Sequence, residues 1–225
     1  MDSIVKAMIS GSVQSIGSES EDFVGVRRMS NQTTLHTLMD GRLAFLQEFL
    51  KHPLQIGSVI PSSRFLENRV VATAGINSAR TIVELGPGTG GTTRAILKAM
   101  ALRAKLLCIE INPNFHSLVS LIEDDRLISH FGDANELKEI ITNYRLSAPE
   151  ALISGIPFST MSESSGSRIL EMISSVLAPG GRFVAYQVSK RVACLCRPIL
   201  GPGQVEVELF NIPPLRVYRW QKSRT

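Results

Sequence analysis

The stretch TIVELGPGTGGTT, residues 81–93, decides how the rest of the chain is organised. Residues 81–85 are mostly apolar and typical of a buried β-strand, a glycine-rich turn follows at once, and residues 94–100 continue as a helix. Glycines let the backbone turn sharply and approach a ligand closely, while the first turn of a helix presents free N–H groups to that ligand. The stretch therefore predicts a nucleotide-type cofactor loop in an α/β sheet.

The glycines of this loop fit two cofactor patterns. Gly86, Gly88 and Gly91 satisfy the dinucleotide pattern G-x-G-x-x-G. Read from Glu84, and with Gly90 as the third glycine, the same loop satisfies E-x-G-x-G-x-G, the first motif of class I S-adenosylmethionine methyltransferases. The Glu84 carboxylate would repel a pyrophosphate but attract the ammonium and sulfonium groups of S-adenosylmethionine. The loop alone favours the methyl donor and leaves the dinucleotide as an alternative.

Composition places the chain among ordinary globular proteins. Its 225 residues, 44% hydrophobic and 20% charged, are enough for one α/β domain with additional residues at the amino terminus. No apolar run approaches the roughly 20 residues that cross a bilayer, and no signal-peptide core is present. Three cysteines form neither a disulfide framework nor a zinc pattern. We therefore expect a cytoplasmic protein without a metal, with peripheral contact at the inner membrane face as an option.

The net charge of +4 is unevenly distributed along the chain. Basic residues gather in its last part, opposed there only by Glu206 and Glu208. This pattern predicts a basic C-terminal face, which either binds phosphate groups of lipids or nucleic acids or is simply solvated. The basic residues are Arg182, Lys190, Arg191, Arg197, Arg216, Arg219, Lys222 and Arg224.

The amino-terminal part is predicted to hold a leader and then helices. Residues 1–32 are rich in serine and glycine and indicate a flexible leader. The methyltransferase domain would span residues 33–225, with helices within residues 33–75 that cover the cofactor pocket. The step Pro61-Ser62-Ser63 indicates the start of one of these helices, with a serine hydroxyl as its N-cap.

A second strand, predicted over residues 105–110, ends in an acid that suits the cofactor. Glu110 follows the glycine loop at about the interval of twenty residues at which an acid binds the ribose hydroxyls. A carboxylate there accepts two hydrogen bonds, and its charge strengthens both of them. We therefore predict that Glu110 binds the ribose.

A third strand, predicted over residues 127–131, leads into the turn Gly132-Asp133-Ala134. The Asp133 carboxylate would accept a hydrogen bond from the adenine amino group, and the neighbouring backbone amide would meet a ring nitrogen. Asp133 could instead cap a helix that begins near Asn135. We favour the adenine contact, because two earlier motifs are in register with it.

Residues 151–158 predict the fourth strand and its exit loop, beside the cofactor at the topological switch point of the sheet. Here Gly155 allows close approach, Pro157 stiffens the turn, and Phe158 would offer an aromatic face to a cation or a base. The strand pattern then continues over residues 182–188, 205–210 and 215–220. A terminal antiparallel pair after five β/α units is typical of a Rossmann-like class I methyltransferase, with a mostly parallel seven-stranded α/β sheet and a C-terminal antiparallel hairpin.

From about residue 46 to residue 220 the chain resembles the bacterial phospholipid N-methyltransferases, which are similar in turn to the rRNA adenine dimethylases. The glycine loop is common to many methyltransferases, whereas three other pieces are more specific. These are the Pro61-Ser62-Ser63 step, the loop Ser154-Gly155-Ile156-Pro157-Phe158 and the turn Asn211-Ile212-Pro213-Pro214. The resemblance also covers Ile109-Glu110-Ile111-Asn112-Pro113, Gly132-Asp133-Ala134 and Leu177-Ala178-Pro179-Gly180-Gly181.

The resemblance implies stepwise methyl transfer from S-adenosylmethionine to the amine of phosphatidylethanolamine at a membrane surface. The cofactor-binding residues would be Glu84, Gly86, Gly88, Gly90, Glu110, Ile111, Asp133, Ala134 and Ser154. Ser154 and the backbone of residues 155–157 would position the amine, Phe158 or Tyr186 would stabilise the developing cation, and Tyr186 is the candidate base. The candidates that would hold the lipid phosphate are Arg197, Arg216 and Arg219.

Two other acceptors remain as alternatives: ribosomal RNA and a soluble small molecule. A third alternative is that the protein binds the cofactor but has no activity. The adenine dimethylases usually carry Asn-Leu-Pro-Tyr in the loop after the fourth strand, where the amide and the ring hold a flipped base. Ser154-Gly155 replaces the asparagine here, which makes nucleic acid a weaker expectation than a lipid amine.

Overall fold

The computed structural model of the protein describes residues 63–210 and 214–224. Seven strands form one sheet in the order β3-β2-β1-β4-β5-β7-β6. The first five strands pair in parallel, and β7 pairs antiparallel with both β5 and β6. The strands are β1 (Thr81–Leu85), β2 (Lys105–Glu110), β3 (Leu127–Phe131), β4 (Ala151–Ser154), β5 (Arg182–Gln187), β6 (Gln204–Glu208) and β7 (Leu215–Gln221). The predicted mostly parallel sheet with a C-terminal antiparallel hairpin is confirmed.

Helices cover both faces of the sheet. They are α1 (Arg64–Ala74), α2 (Gly91–Ala99), α3 (Pro113–Val119), α4 (Leu137–Asn143), α5 (Glu163–Val176) and α6 (Arg191–Leu200). Apolar residues of α1, α2 and α3 pack on one face, and those of α4, α5 and α6 pack on the other. Successive strand residues point to opposite faces, so Ile82 lies in the first layer and Val83 in the second.

The start of α1 follows the prediction from the serine step. The Ser63 hydroxyl accepts a hydrogen bond from the Leu66 N–H at 3.2 Å and so caps the helix. Gly75 ends the helix in the left-handed conformation, with φ of 68°. The predicted leader, the earlier helices of residues 33–62 and the turn at residues 211–213 lie outside the described residues.

The basic residues do not form the single face that the sequence pattern predicts. Arg182 pairs with Gln221 at one end of β5, whereas Arg216 pairs with Gln187 at the other end, so the sheet separates these cations by its full height. Lys222 donates to the carbonyls of Ser174 and Leu177, at the edge remote from the glycine loop. The prediction was wrong because β5 and β7 each run the height of the sheet, so the basic residues near their two ends lie far apart.

Candidate active site

The glycine loop joins β1 to α2 through three residues in the left-handed region. Gly86, Gly88 and Gly90 have φ of 68°, 57° and 79°, a conformation that costs other residues free energy. The Gly86 N–H donates to the Ile109 carbonyl at 2.9 Å, which ties the loop to β2. The loop therefore needs glycine for its backbone path, as the sequence pattern indicates.

A cavity of about 310 Å³ lies at the carboxyl ends of β1, β2 and β4, beside this loop. We call it the cofactor cavity. The predicted residues that line it are Gly86, Gly88, Glu110, Ile111, Asp133, Ala134, Gly155 and Pro157. Ile156, whose backbone was predicted to help position the amine, also lines it. The lining residues that the sequence reasoning did not assign are Ile109, Asn112, Phe115, Asn135, Met161 and Ile169. Neither Gly90 nor Ser154 belongs to this lining.

Glu110 is held at the cofactor cavity by two backbone N–H groups. Its Oε2 accepts from the Gly88 N–H at 3.1 Å and its Oε1 from the Asn112 N–H at 2.9 Å. Burial raises the pKa of this carboxyl above its usual value, and the backbone N–H groups of Asn112 and Gly88 oppose that rise. The carboxylate thus joins the glycine loop to the end of β2, in the position from which an acid can bind hydroxyl groups.

Asp133 has the role of a helix cap, which was the less favoured alternative. Its Oδ1 accepts from the backbone N–H of Asn135 at 2.8 Å and from the side-chain amide of Asn135 at 2.9 Å. This contact orients the Asn135 amide, whose Oδ1 is buried and has no hydrogen-bond partner in the part of the chain that the structure describes. An unpaired buried acceptor at a cavity wall fits a ligand that donates an N–H, such as the adenine amino group. The adenine contact of Asp133 itself stays a prediction.

The lining suits S-adenosylmethionine better than a dinucleotide. Its ionisable side chains, Glu110 and Asp133, are both acidic, and no lysine or arginine of the described residues lines the cavity. A pyrophosphate would therefore meet acids and no cation, whereas a cationic ligand would be attracted. The apolar side chains of Ile111 and Phe115 can cover a purine ring.

Glu84 lies behind the loop, in a polar cluster on the α1–α3 side of the sheet. It is fully buried, and its Oε2 accepts from the Thr93 hydroxyl at 2.6 Å and the Cys108 thiol at 3.2 Å. Its Oε1 has no partner among the described residues. Burial raises the pKa of Glu84 to about 7, against the effect of both hydrogen bonds. The direct contact with the cofactor that the sequence predicts stays a prediction, since Glu84 does not line the cavity.

A second cavity, of about 240 Å³, shares Gly155 and Pro157 with the first. We call it the acceptor cavity. Its other lining residues come from the ends of β5 and β7 and from two loops: Ser159, Tyr186, Gln187, Val188, Ser189 and Leu215. None of these lining side chains is acidic or basic. The two cavities therefore meet at Gly155 and Pro157. That the cofactor and the acceptor meet at this loop stays a prediction.

Gly155 is confined by backbone and by Tyr186 at this junction. A Cβ atom at this position would lie 2.7 Å from the Gly86 carbonyl oxygen and 2.7 Å from the Tyr186 hydroxyl. Such distances are too short for any side chain, so β1, β4 and β5 approach one another only because residue 155 is glycine.

Three of the predicted acceptor-site roles differ from the structure. Phe158 is fully buried in the core, so its ring is not available to a cation or a base. The buried Ser154 hydroxyl accepts from the Ile156 N–H at 3.2 Å and holds the exit loop instead of lining either cavity. Burial and the nearby Glu84 raise the pKa of Tyr186 far above its usual value, which disfavours the phenolate that a base would need.

The arginines assigned to the lipid phosphate also separate in space. Arg216 donates to the carbonyl of Val188, a residue that lines the acceptor cavity, so it lies at the rim. Arg219 contacts Gln204 and lines a separate groove between α1 and β6. Arg197 is exposed on α6 and does not line the acceptor cavity. Only Arg216 of the three lies next to the acceptor cavity.

Comparisons with known proteins agree with this fold. No model of a protein family matches the chain. An ornithine lipid N-methyltransferase from Singulisphaera acidiphila is 29% identical over 143 residues, which are 62% of this chain and 73% of the relative. A ribosomal RNA small subunit methyltransferase A from Rhodococcus opacus is 32% identical over 84 residues, which are 37% of this chain and 27% of the relative. The match thus spans about a quarter of the RNA enzyme.

The solved structures show the same fold. The O-methyltransferase from Bacillus cereus, solved in complex with SAH, has a TM-score of 0.60 and 13% identity, over 84% of this chain and 91% of that one. The chain thus has the class I methyltransferase fold, and the predicted class, an S-adenosylmethionine-dependent methyltransferase, is confirmed. Within that class, the curated relatives are named for a lipid and for ribosomal RNA as acceptors. No helix within residues 63–210 and 214–224 is long and apolar enough to cross a membrane.

Proposed function

We propose that the protein transfers methyl groups from S-adenosylmethionine to the primary amine of a lipid headgroup, of the phosphatidylethanolamine or ornithine lipid kind. The observation that carries this proposal is the neutral acceptor cavity, which meets the cofactor cavity at Gly155 and has Arg216 at its rim. The lipid N-methyltransferase relative supports the same acceptor class.

The chemistry asks for alignment more than for proton transfer. When bound, S-adenosylmethionine supplies a methyl group that its sulfonium sulfur already activates. The amine lone pair forms the new nitrogen–carbon bond as the carbon–sulfur bond breaks; the bonding pair stays on sulfur, and the nitrogen releases a proton to water. Gly155 and Pro157 line both cavities, so the chain's contribution is to hold an amine in line at these two residues.

The charges around the acceptor cavity favour an amine that carries an anionic neighbour. Within the described residues, the lining offers no carboxylate that would hold the nitrogen as a charged ammonium, so the neutral, reactive amine is less disfavoured there. Arg216 at the rim provides a cation for the phosphate of phosphatidylethanolamine or the carboxylate of ornithine lipid. Both headgroups place such an anion within reach of the amine.

The test is transfer of label from S-adenosylmethionine to three acceptors offered separately. These are vesicles with phosphatidylethanolamine, vesicles with ornithine lipid, and unmodified ribosomal RNA. Label in either lipid fraction supports the proposal and identifies the headgroup. Label in RNA alone contradicts the proposal and indicates that the acceptor is ribosomal RNA, as the name of the Rhodococcus opacus relative states for that protein.

A further inference from the structure

Gln187, the last residue of β5, is a polar group that the reaction described above does not use. It is 6% exposed and lines the acceptor cavity. Its side-chain Nε2 donates to the Ile156 carbonyl at 2.7 Å, whereas its Oε1 is buried and has no hydrogen-bond partner within the described residues. Leaving a buried acceptor unpaired costs free energy, so this oxygen needs an explanation.

The orientation of the amide follows from its one hydrogen bond. If the amide were turned over, Oε1 would lie about where Nε2 now does, 2.7 Å from the Ile156 carbonyl oxygen. Two acceptors at that distance repel each other, so the Ile156 carbonyl holds the nitrogen on its own side. The oxygen is therefore left for another donor.

We propose that the Gln187 side-chain oxygen accepts a hydrogen bond from an N–H of the acceptor amine. This inference rests on the proposed function, which it deepens by naming the residue that selects the acceptor. Gln187 lines the same cavity as Gly155, the residue that borders the cofactor cavity as well. An oxygen held rigidly by Ile156 would direct one N–H away from the cofactor and the lone pair toward it.

The proposal predicts a dependence on the number of N–H groups. A neutral primary amine has two and a singly methylated amine has one, so both can bind Gln187 and keep a lone pair for the reaction. A neutral doubly methylated amine has none, so the third transfer loses this contact. Products carrying one and two methyl groups should therefore accumulate ahead of the trimethylated product.

The experiment compares the full chain with Gln187→Met, which keeps the length of the side chain and removes the acceptor. For the first methyl transfer to vesicle phosphatidylethanolamine, kcat/KM should fall by about 10- to 100-fold. For the third transfer, offered as the dimethylated lipid, it should change by less than about threefold. An equal loss on both lipids would overturn the inference, because a loosened exit loop would affect every acceptor alike.

Binding gives a second readout that does not depend on turnover. With S-adenosylhomocysteine present, calorimetry should show that Gln187→Met weakens binding of phosphoethanolamine but not of phosphocholine, which has no N–H. If the variant does not fold, the unaltered chain still decides the matter, since it should bind phosphoethanolamine more tightly than phosphocholine. Equal affinity for both headgroups would overturn the inference.

A substitution of Arg191 tests whether the Gln187 oxygen pairs with another side chain of the protein instead of with the acceptor amine. The Arg191 Nε, at the start of α6, is also buried and has no partner among residues 63–210 and 214–224. If the Gln187 oxygen served only to pair with this arginine, Arg191→Ala would reproduce the Gln187→Met losses on all acceptors, and the inference would fail. Transfer to ribosomal RNA alone, with no binding of either headgroup, would overturn the proposed function itself and the inference with it.

Discussion

The cofactor cavity and the acceptor cavity share a wall but are built in different ways. The first consists of a glycine loop with fixed backbone angles and of acids at strand ends, so short sequence motifs describe much of it. The second is neutral and is assembled from β5, β7 and two loops that are distant in sequence. The comparison teaches that cofactor binding is encoded locally in this chain, whereas acceptor selection depends on tertiary packing.

The strongest test of this difference is a substitution of Gly155, one of the two residues that line both cavities. Gly155→Ala would place a methyl group 2.7 Å from the Gly86 carbonyl oxygen, which cannot move without displacing β1. We expect a loss of about 3 kcal/mol in the free energy of unfolding, at the upper end for overpacking, together with loss of transfer. Denaturant unfolding and the labelled-methyl assay would measure both.

Gly91→Ala is the matched control for this substitution. Its added Cβ would meet only the carboxylate end of Glu67, a flexible side chain that can turn away. Its unfolding free energy should stay close to that of the unaltered chain. If both variants lost stability equally, the junction at Gly155 would have no special role.

The second prediction concerns the buried carboxyl behind the loop. With its pKa raised from 4.5 to about 7, folded Glu84 keeps a proton that the unfolded chain has already released. Stability should therefore fall as the pH rises from about 5 to about 7.5, by up to roughly 3 kcal/mol from this group. Glu84→Gln should flatten the pH profile of denaturant unfolding by that amount.

Glu171→Gln, on the exposed side of α5, is the control for the pH profile. Glu171→Gln should leave unchanged the fall in the free energy of unfolding between about pH 5 and about pH 7.5. A Glu84→Gln profile as steep as that of the unaltered chain would mean that other groups carry the pH dependence.

The third prediction separates cofactor binding from folding. Glu110→Gln removes the charge that the N–H groups of Gly88 and Asn112 hold at the cavity. We expect the affinity for S-adenosylhomocysteine to fall by about 10- to 100-fold, as for the loss of a charged acceptor. Titration calorimetry measures this directly.

The control for Glu110→Gln is a carboxylate at the opposite end of the parallel strands. Glu150 accepts from the N–H groups of Arg80 and Thr81 at 3.0 and 2.8 Å and holds the start of β1. Glu150→Gln should lower the melting temperature but leave the S-adenosylhomocysteine affinity unchanged. If Glu150→Gln weakened the binding of S-adenosylhomocysteine as much as Glu110→Gln does, Glu110 would only stabilise the fold and would not bind the cofactor.

The smallest effect is expected at the rim of the acceptor cavity. Arg216→Gln should raise the apparent KM for vesicle lipid a few-fold, since an exposed cation contributes modestly. Arg197→Gln, on the outer side of α6, should not change it. The reverse order of effects would place the headgroup on α6, away from the cavity.

The sequence predicts the cofactor cavity better than it predicts the acceptor cavity. Gly86, Gly88 and Glu110 are recognisable because a backbone path or a strand-end acid has a local signature. Asp133 was assigned a ligand contact but caps a helix, since the two roles require the same residue type at the same place. The unpaired acceptor at this place is the Asn135 side-chain oxygen, and no local sequence pattern predicts it.

The acceptor side shows what the sequence could not indicate. Phe158 reads as an exposed aromatic residue after a glycine–proline turn, but the packing of α5 and α6 buries it. Gln187 is not distinguished in the sequence, and its unpaired oxygen becomes apparent only once the Ile156 carbonyl has taken its nitrogen. Such roles depend on which strands become neighbours, and periodicity does not determine that.

The position of β7 between β5 and β6 has a consequence for how the protein is made. The described residues that line the cofactor cavity all lie within residues 86–169, whereas the acceptor cavity also requires Leu215 from β7. Synthesis from the amino terminus thus completes the first set well before the second. A nascent chain that stalls before β7 leaves one edge of β5 without its partner, exposing N–H and C=O groups on which aggregation can begin.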